Sequence, residues 1–258
     1  MGESRPCRRF EAFGFLIEPE SESKNGTQTP GGSTAGRRRA LYGRAHGKAL
    51  RSHQAALIKN VLPQLEIEAA PRLDCASLFT FRPQEIWLEI GFGGGEHLIA
   101  QAAARRDVGF LGAEPFVNGV AKALAAITRE KLDNVRLRAG DAGALLEALP
   151  DGALSRLFIL YPDPWPKRRH NKRRFISDAR IEDFARVLHK GGQARFATDV
   201  DDYAGWTLRR FLDSAHFIWP ARKADDWREP WPDWRETRYE AKAKREGRKP
   251  VYLTFVRA

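Results

Sequence analysis

The stretch Ile86-Trp-Leu-Glu-Ile-Gly-Phe-Gly-Gly-Gly-Glu-His-Leu98 sets the architecture expected for this chain. Its first five residues form a short apolar run, which is typical of a buried strand. Four glycines follow within the next five positions, and glycine lets a backbone turn sharply and approach a ligand closely. A helical pattern begins at His97, which we interpret as a polar residue near a helix start. Strand, glycine loop and helix in this order predict the first unit of an α/β fold.

The same alternation continues to the end of the chain. Further strands are predicted at 109–114, 135–139, 157–160, 193–198, near Phe217 and at 251–256. Helices are predicted at 97–106, 116–131, 175–190 (terminated by Gly191) and 203–212. This order predicts a mostly parallel seven-stranded sheet with helices on both faces, and the last two strands suit an antiparallel arrangement at one edge. Ligands of such sheets bind beyond the carboxyl ends of the strands.

The composition excludes several classes of protein. The 258 residues are 42% hydrophobic and 30% charged, which is ordinary for a soluble globular protein. No apolar run approaches the roughly 20 residues that a membrane span needs. The two cysteines, Cys7 and Cys75, give neither a disulfide framework nor a metal-ligand spacing, so we expect no metal. A reducing cytoplasm fits this composition.

The net charge of +11 is concentrated in three segments. Residues 37–51 and residues 166–174 each carry six cations and no acid, and residues 235–249 carry seven cations and three acids. One such run alone is most simply a solvated face. Three runs that flank the same motifs are typical of a surface that binds nucleic-acid phosphates.

The domain organisation follows from the same patterns. Residues 1–36 are rich in Gly, Ser, Thr and Pro and predict a disordered tail. Residues 37–258 predict one domain, in which a basic arm and helix at 37–62 precede an α/β core at 83–258. The aromatic segment 227–234 is interpreted as a packed wall, with base stacking as the alternative.

Acidic residues lie at or near the carboxyl ends of the first three predicted strands. Glu89 precedes the glycine loop, Glu114 ends the second strand and Asp141 follows the third. A dinucleotide fingerprint needs glycine at its first, third and sixth positions, and no frame here provides it. The loop instead resembles the S-adenosylmethionine site of class I methyltransferases, where such acids hold the cofactor. Plainer interpretations are backbone capping by Glu89 and a helix N-cap at Asp141.

A second motif, Tyr161-Pro-Asp-Pro-Trp165, follows the fourth strand and precedes the basic run. Proline on either side restricts the backbone around Asp163. Together with Lys167-Arg-Arg-His-Asn-Lys-Arg-Arg174, Phe196-Ala-Thr-Asp199 and Thr237-Arg-Tyr-Glu240, it resembles the bacterial tRNA (guanine-N7-)-methyltransferases. The resemblance runs from about Gly43 to the C-terminus. It implies a Rossmann-like fold and methylation of the variable-loop guanine, guanosine-46, of tRNA.

The resemblance also implies a role for each matching residue. The cofactor-binding residues are Glu89, Gly91, Gly93, Gly95, Glu114, Asp141 and Asp163, and Asp163 is also the catalytic residue. The substrate-binding residues are Lys167, Asp199, Thr237, Arg238, Tyr239 and Glu240. The RNA-interacting residues are Arg169, His170, Asn171, Lys172, Arg173 and Arg174. The family commonly carries lysine and phenylalanine at the positions of Arg238 and Tyr239.

The chemistry explains why acids suit this site. Guanine N7 is an exposed acceptor with its own lone pair, so it needs no general base. Positive charge moves from sulfur to the purine during transfer, and fixed carboxylates stabilise it. The plainer interpretations are a turn residue for Asp163 and a helix N-cap for Asp199.

Two other functions stay open at this point: a nicotinamide-dependent oxidoreductase and a non-catalytic RNA-binding protein. The glycine spacing disfavours the first and the complete set of acids disfavours the second. The expected partner is tRNA rather than a membrane, and the protein is expected to be a monomer or a homodimer.

Overall fold

One sheet runs through the part of the chain that this computed structural model describes, residues 47–68 and 72–258. Its order is β3-β2-β1-β4-β5-β7-β6. The strands are β1 Glu85–Ile90, β2 Val108–Ala113, β3 Val135–Arg138, β4 Leu154–Leu160, β5 Leu188–Thr198, β6 Phe217–Ile218 and β7 Val251–Arg257. The pairs among β1 to β5 are parallel, and β7 runs antiparallel to both β5 and β6. The predicted mostly parallel seven-stranded sheet is confirmed.

Strand order reverses between β1 and β4. The chain passes from β1 outward through β2 and β3, and then returns to place β4 on the other side of β1. In the register, Glu89 lies opposite Phe158 of β4 and Gly112 of β2. Because these strands are parallel, their carboxyl ends meet at one edge, which is where doubly wound sheets bind ligands.

Helices cover both faces of the sheet. They are α1 Ser52–Asn60, α2 Leu62–Leu65, α3 Glu96–Ala104, α4 Val117–Glu130, α5 Ala142–Ala148, α6 Asp178–Val187, α7 Asp201–Asp213, α8 Asp225–Arg228 and α9 Arg238–Arg245. Trp87 belongs to a core cluster with α3 and α4, whereas its neighbour Leu88 belongs to a cluster with α5, α6 and α7. The period of two along a strand buries successive side chains on opposite faces.

The predicted helix at 175–190 is too long. The α6 helix occupies only Asp178–Val187, and Leu188 already belongs to β5, where it pairs with Leu154. Gly191 therefore does not terminate the helix. With φ of 81° it lies within β5, where the register with β4 shifts.

The N-terminal arm is described only from Gly47 onward. The Asn118 side chain, on the first turn of α4, accepts from the Gly47 amide at 2.8 Å and donates to the Lys48 carbonyl at 2.7 Å. The α1 helix then packs against α4. The predicted tail 1–36 and most of the basic arm lie outside the described residues. No helix in the described ranges has the length and apolarity to cross a bilayer.

Candidate active site

The glycine loop links β1 to α3 through three left-handed residues. Gly91, Gly93 and Gly95 have φ of 72°, 57° and 83°, conformations that side chains disfavour. Another glycine, on the neighbouring helix, completes this packing: a Cβ at Gly119 would lie 2.2 Å from the Gly93 carbonyl oxygen. The α4 helix therefore packs directly against the glycine loop, and only glycine at position 119 permits this close approach.

Glu114 ties the loop to the end of β2. One carboxylate oxygen accepts from the Gly93 amide at 2.6 Å and the other accepts from the Phe116 amide at 2.8 Å. Burial raises the pKa of Glu114, while the two amides and Arg238 oppose the rise. The charge of Asp163 also raises this pKa, so the two carboxylates lie within electrostatic range of each other.

Glu89 is buried at the end of β1, with 4% of its surface exposed. Its Oε2 lies 2.7 Å from Nδ1 of His97, which is also buried. Since a carboxylate can only accept, Nδ1 carries the proton of this hydrogen bond. The side chain of His97 is therefore not simply a polar group near a helix start.

Asp141 has the plainer of its two predicted roles in this structure. It is the N-cap of α5, and its side chain accepts from the Gly143 amide at 3.0 Å. Its contact with the cofactor stays a prediction.

The Pro-Asp-Pro turn is flanked by two strained residues. Tyr161 and Trp165 have φ of 51° and 44°, in the left-handed region that bulky residues rarely adopt. The Tyr161 amide donates to the Ala197 carbonyl of β5 at 2.8 Å. Between these residues, Asp163 lies at the carboxyl edge of the sheet. Its side chain reaches solvent, and desolvation by the protein atoms around it raises its pKa.

Two side chains brace this turn from its C-terminal side. Arg174 donates through Nε to the Pro164 carbonyl at 2.9 Å and pairs with Asp202. With its amide oriented to satisfy its hydrogen bonds, Asn171 donates to the Trp165 carbonyl at 3.1 Å and to the Lys167 carbonyl at 3.3 Å. Arg174 is buried under the turn, so it departs from the RNA-facing role predicted for it. Its guanidinium holds the backbone beside Asp163 instead.

The basic run that follows forms a 3₁₀ helix, Arg168–Arg173. Lys167, Arg168, Arg169 and Lys172 are exposed. The Arg173 guanidinium lies 5.0 Å from the centre of the Trp165 ring, and the His170 ring packs edge-on against the same indole at 6.0 Å. Desolvation and the neighbouring cations lower the pKa of His170. The cations are thus presented beside Asp163.

The predicted substrate residues Thr237 to Glu240 begin α9. Thr237 is its N-cap and accepts from the Glu240 amide at 3.2 Å. Glu240 is 0% exposed; its carboxylate accepts from Trp234 Nε1 at 2.6 Å, from the Tyr252 hydroxyl at 2.5 Å and from Lys244 at 2.7 Å. Glu240 therefore anchors the helix, and its contact with substrate stays a prediction.

Arg238 and Tyr239 lie against the glycine loop. A Cβ at Gly93 would be 3.4 Å from the Tyr239 ring and 3.5 Å from the Arg238 guanidinium. Arg238 also approaches Glu96 of α3 at 3.7 Å and donates to the Tyr239 hydroxyl at 3.0 Å. The segment predicted to bind substrate thus borders the loop predicted to bind the cofactor.

Asp199 follows β5 at the same edge. Its Oδ2 accepts from Nε of Arg248, in the loop before β7, at 2.5 Å. Asp199 precedes α7 but does not cap it, since the N-cap is Val200. The charge of Asp199 contributes to a raised pKa at Tyr161, for which burial is the main cause. Asp199 is therefore near the Pro-Asp-Pro turn.

The chain matches known proteins over most of its length. The family described as "Putative methyltransferase" matches residues 83–253. A tRNA (guanine-N(7)-)-methyltransferase of Rhodopseudomonas palustris (strain ATCC BAA-98 / CGA009) is 48% identical over 253 residues, covering 97% of this chain and 95% of that protein. One of Chelativorans sp. (strain BNC1) is 52% identical, covering 84% and 95%. This chain belongs to the tRNA (guanine-N(7)-)-methyltransferase family.

A more distant likeness is found among solved structures. The aminoglycoside resistance methyltransferase NpmB1 is 14% identical with a TM-score of 0.47, covering 68% of this chain and 88% of that chain.

This member of the tRNA (guanine-N(7)-)-methyltransferase family brings together most of the residues singled out in its sequence. The glycine loop, Glu89, Glu114, Asp163, Asp199 and Thr237 to Tyr239 lie at the carboxyl edge of the sheet or against the loops that leave it. In the described residues, no group of three or more His, Cys, Asp or Glu is placed to hold a metal ion.

Several residues of the site escaped the sequence analysis. His97, Gly119 and Arg248 each contact a predicted site residue. Only His97 left a usable signal, because it lies on the first turn of the helix that follows the glycine loop. The aromatic wall is confirmed as packing: Trp227 is buried, and Trp234 packs edge-on against Trp231 and Tyr252.

Proposed function

We propose that this protein transfers a methyl group from S-adenosylmethionine to N7 of the variable-loop guanine, guanosine-46, of tRNA. The observation that carries the proposal is the identity of about half its residues with curated tRNA (guanine-N(7)-)-methyltransferases over most of the chain. The motifs of the resemblance supply the residues for that reaction.

The side chains at the carboxyl edge fit S-adenosylmethionine. Glu89 and Glu114 are buried acids beside the glycine loop, in which Gly91 leaves room for a close ligand. A Cβ added at Gly91 would have no neighbouring atom within 4 Å. Carboxylates match a cationic sulfonium, an ammonium and ribose hydroxyls, which a phosphate-binding loop does not. Bound S-adenosylmethionine supplies a methyl group on positively charged sulfur.

Asp163 is the proposed catalytic residue. Its carboxylate is held on a turn that two prolines and two left-handed residues restrict, and Arg174 fixes the turn from beneath. A negative charge placed in advance stabilises the positive charge that moves toward the purine, without reorganisation during the reaction. Guanine N7 brings its own lone pair, so no residue has to remove a proton before transfer.

The residues proposed to bind tRNA, the methyl acceptor, lie around Asp163. The exposed cations of the 3₁₀ helix and Lys167 bind tRNA phosphates in this proposal, and the arm at 37–51 adds to the same footprint. Asp199, oriented by Arg248, accepts from the guanine N1–H and amino group. Thr237, Arg238 and Tyr239 contact the nucleotide from the side of the glycine loop.

A product analysis tests the proposal. The purified protein is incubated with unmodified bulk tRNA and S-adenosylmethionine labelled in the methyl group, and the tRNA is then digested to nucleosides. We expect the label in 7-methylguanosine. Unlabelled tRNA would favour a non-catalytic RNA-binding protein, and label in any other nucleoside would overturn the assignment of N7.

The site of methylation needs a second substrate. A tRNA transcript with adenosine at position 46 is compared with the transcript that carries guanosine there. We expect labelling of the guanosine transcript alone, and equal labelling of both would contradict the variable-loop assignment. The proposal also includes a cytoplasmic location and a monomeric or homodimeric state, which fractionation and light scattering of the full chain test.

A further inference from the structure

His97 is a buried titratable residue to which the proposed chemistry gives no task. Only 2% of its surface is exposed, and it lies on the first turn of α3, directly after the glycine loop. Its Nδ1–H donates to Glu89 at 2.7 Å. A hydrogen bond to a buried carboxylate restricts the orientation of that carboxylate and offsets part of its desolvation.

The ring of His97 has a second set of contacts. It packs against Phe158 of β4 with 4.8 Å between ring centres and against Trp234 with 5.2 Å. Trp234 Nε1 then donates to Glu240 at 2.6 Å, and Glu240 belongs to the turn that Thr237 caps. The His97 side chain thus lies between Glu89, the carboxylate proposed to bind the methyl donor, and Trp234, which supports the substrate segment 237–240.

The neighbouring residues hold Trp234 in this place. Gln101, one turn along α3 from His97, donates to the Asp233 carbonyl at 2.6 Å. The Asp233 carboxylate accepts from Arg195 at 2.9 Å and from Arg156 at 3.0 Å, so the backbone before Trp234 is attached to both α3 and the sheet. The contact between the His97 and Trp234 rings is therefore part of a fixed arrangement.

We propose that His97 is a positioning residue with two separable actions. Its Nδ1–H orients Glu89 for the methyl donor, and its ring supports Trp234 and, through it, the substrate segment 237–240. The inference rests on the proposed function, because it assumes that Glu89 contacts the donor and that this segment contacts tRNA.

Two substitutions separate the actions. His97→Phe keeps an aromatic ring between Phe158 and Trp234 but removes the donor to Glu89. His97→Asn places an amide N–H as many bonds from the backbone as Nδ1 but removes the ring. A purely structural role would make both variants fail in the same way, whereas the proposal requires opposite patterns.

The action of His97 on Glu89 is measured as the affinity for S-adenosylhomocysteine, determined by calorimetry. This measurement does not depend on turnover. We expect His97→Phe to weaken binding about tenfold or more, since it removes a hydrogen bond to a charged group. His97→Asn is expected to stay within about twofold of the wild type, because its amide can still donate. Donor affinity in His97→Phe within that same range would overturn the first action.

The action of His97 on the substrate segment is measured as the KM for tRNA at saturating S-adenosylmethionine. We expect His97→Asn to raise this KM about fivefold, the size of effect that one aromatic pair produces. His97→Phe is expected to leave it close to the wild-type value. An unchanged KM in His97→Asn, or a larger rise in His97→Phe, would overturn the second action.

A double-mutant cycle and two controls guard against damage to the fold. If His97 acts on the donor through Glu89, adding His97→Phe to Glu89→Ala, which removes the acceptor of the His97 hydrogen bond, produces no further loss of donor affinity, and an additive loss contradicts the link. His216→Phe removes another His–Glu pair, with Glu182 at 3.1 Å near β6, and should change neither measurement. If the wild type binds no S-adenosylhomocysteine, the proposed function itself fails.

Discussion

Two sides of the site are stabilised in different ways. The donor side, proposed to bind the methyl donor, is formed by the ends of β1 and β2. The acceptor side, proposed to bind tRNA, is formed by the ends of β4 and β5. On the donor side, Glu89 and Glu114 are buried and their oxygens accept from His97 and from main-chain amides. On the acceptor side, Asp163 and the cations are exposed, and buried groups hold the backbone beneath them.

The difference fits the size of each ligand. A small cationic ligand can be surrounded by protein, so the carboxylates proposed to bind it lie in the interior, where the attraction between opposite charges is stronger than in water. A large polyanion arrives from solvent, so the groups that meet it have to remain on the surface. The two sides should therefore respond to mutation in separate measurements.

The largest effect is expected from Asp163→Ala. Removal of a charge that is placed in advance for the transition state lowers kcat by about 10²–10³-fold or more. Binding of tRNA, measured by filter retention, should change less than about twofold, because one carboxylate is a minor part of the phosphate footprint. Asp107→Ala, at the opposite end of the sheet, is the control, and near-normal turnover of Asp163→Ala would refute the assignment.

Glu114→Gln tests the donor side. The amide places an NH₂ group against one of the two main-chain N–H groups, at Gly93 or Phe116, that the carboxylate now accepts. We expect donor binding to weaken about 10- to 100-fold and the free energy of unfolding to fall by about 1–3 kcal/mol. Calorimetry and thermal unfolding measure the two effects, with Glu147→Gln on α5 as the control. Weaker tRNA binding with normal donor binding would contradict the division into two sides.

The exposed cations give a smaller effect, confined to the acceptor side. Arg169→Gln and Lys172→Gln should each reduce the slope of log Kd for tRNA against log salt by about one. Affinity for S-adenosylhomocysteine should not change. Lys190→Gln, on the β5 segment remote from the site, is the matched control. A slope that is insensitive to both substitutions would exclude this helix from the footprint.

The smallest effect concerns pH. Partial burial raises the pKa of Asp163 above the ordinary value of about 3.9. Because the ionised form is required, kcat should fall as pH decreases through the raised pKa, and the inflection should lie above the ordinary value. The same inflection should persist in Glu114→Gln at saturating S-adenosylmethionine. An inflection at or below about 3.9 would argue against a raised pKa.

The arrangement of the donor side followed largely from spacing in the sequence. Parallel strands place their carboxyl ends together, so the sequence alone predicts Glu89 and Glu114 at one edge of the sheet. The pairing of His97 with Glu89 was missed because the contact depends on the path of the glycine loop, which three left-handed residues set.

The acceptor side is harder to predict because residue type does not reveal which of its side chains support the backbone. Arg174 looks like one more cation in a basic run, yet Asp202 and the rings of Tyr203 and Trp206 hold it beneath the turn. Likewise, nothing local to Thr237-Arg-Tyr-Glu240 reveals that Tyr252 and Trp234 bury the glutamate. Charge alone does not distinguish a residue that meets RNA from one that supports the residue beside it.

The left-handed conformations of Tyr161 and Trp165 have a consequence for turnover. Each such residue costs about 1–3 kcal/mol, and the rest of the fold has to offset that cost. The bent path around Asp163 is thus built once, when the polypeptide first reaches its native state. In the proposed reaction, an arriving tRNA then meets a carboxylate already in place, and none of its own binding energy is spent on bending the chain.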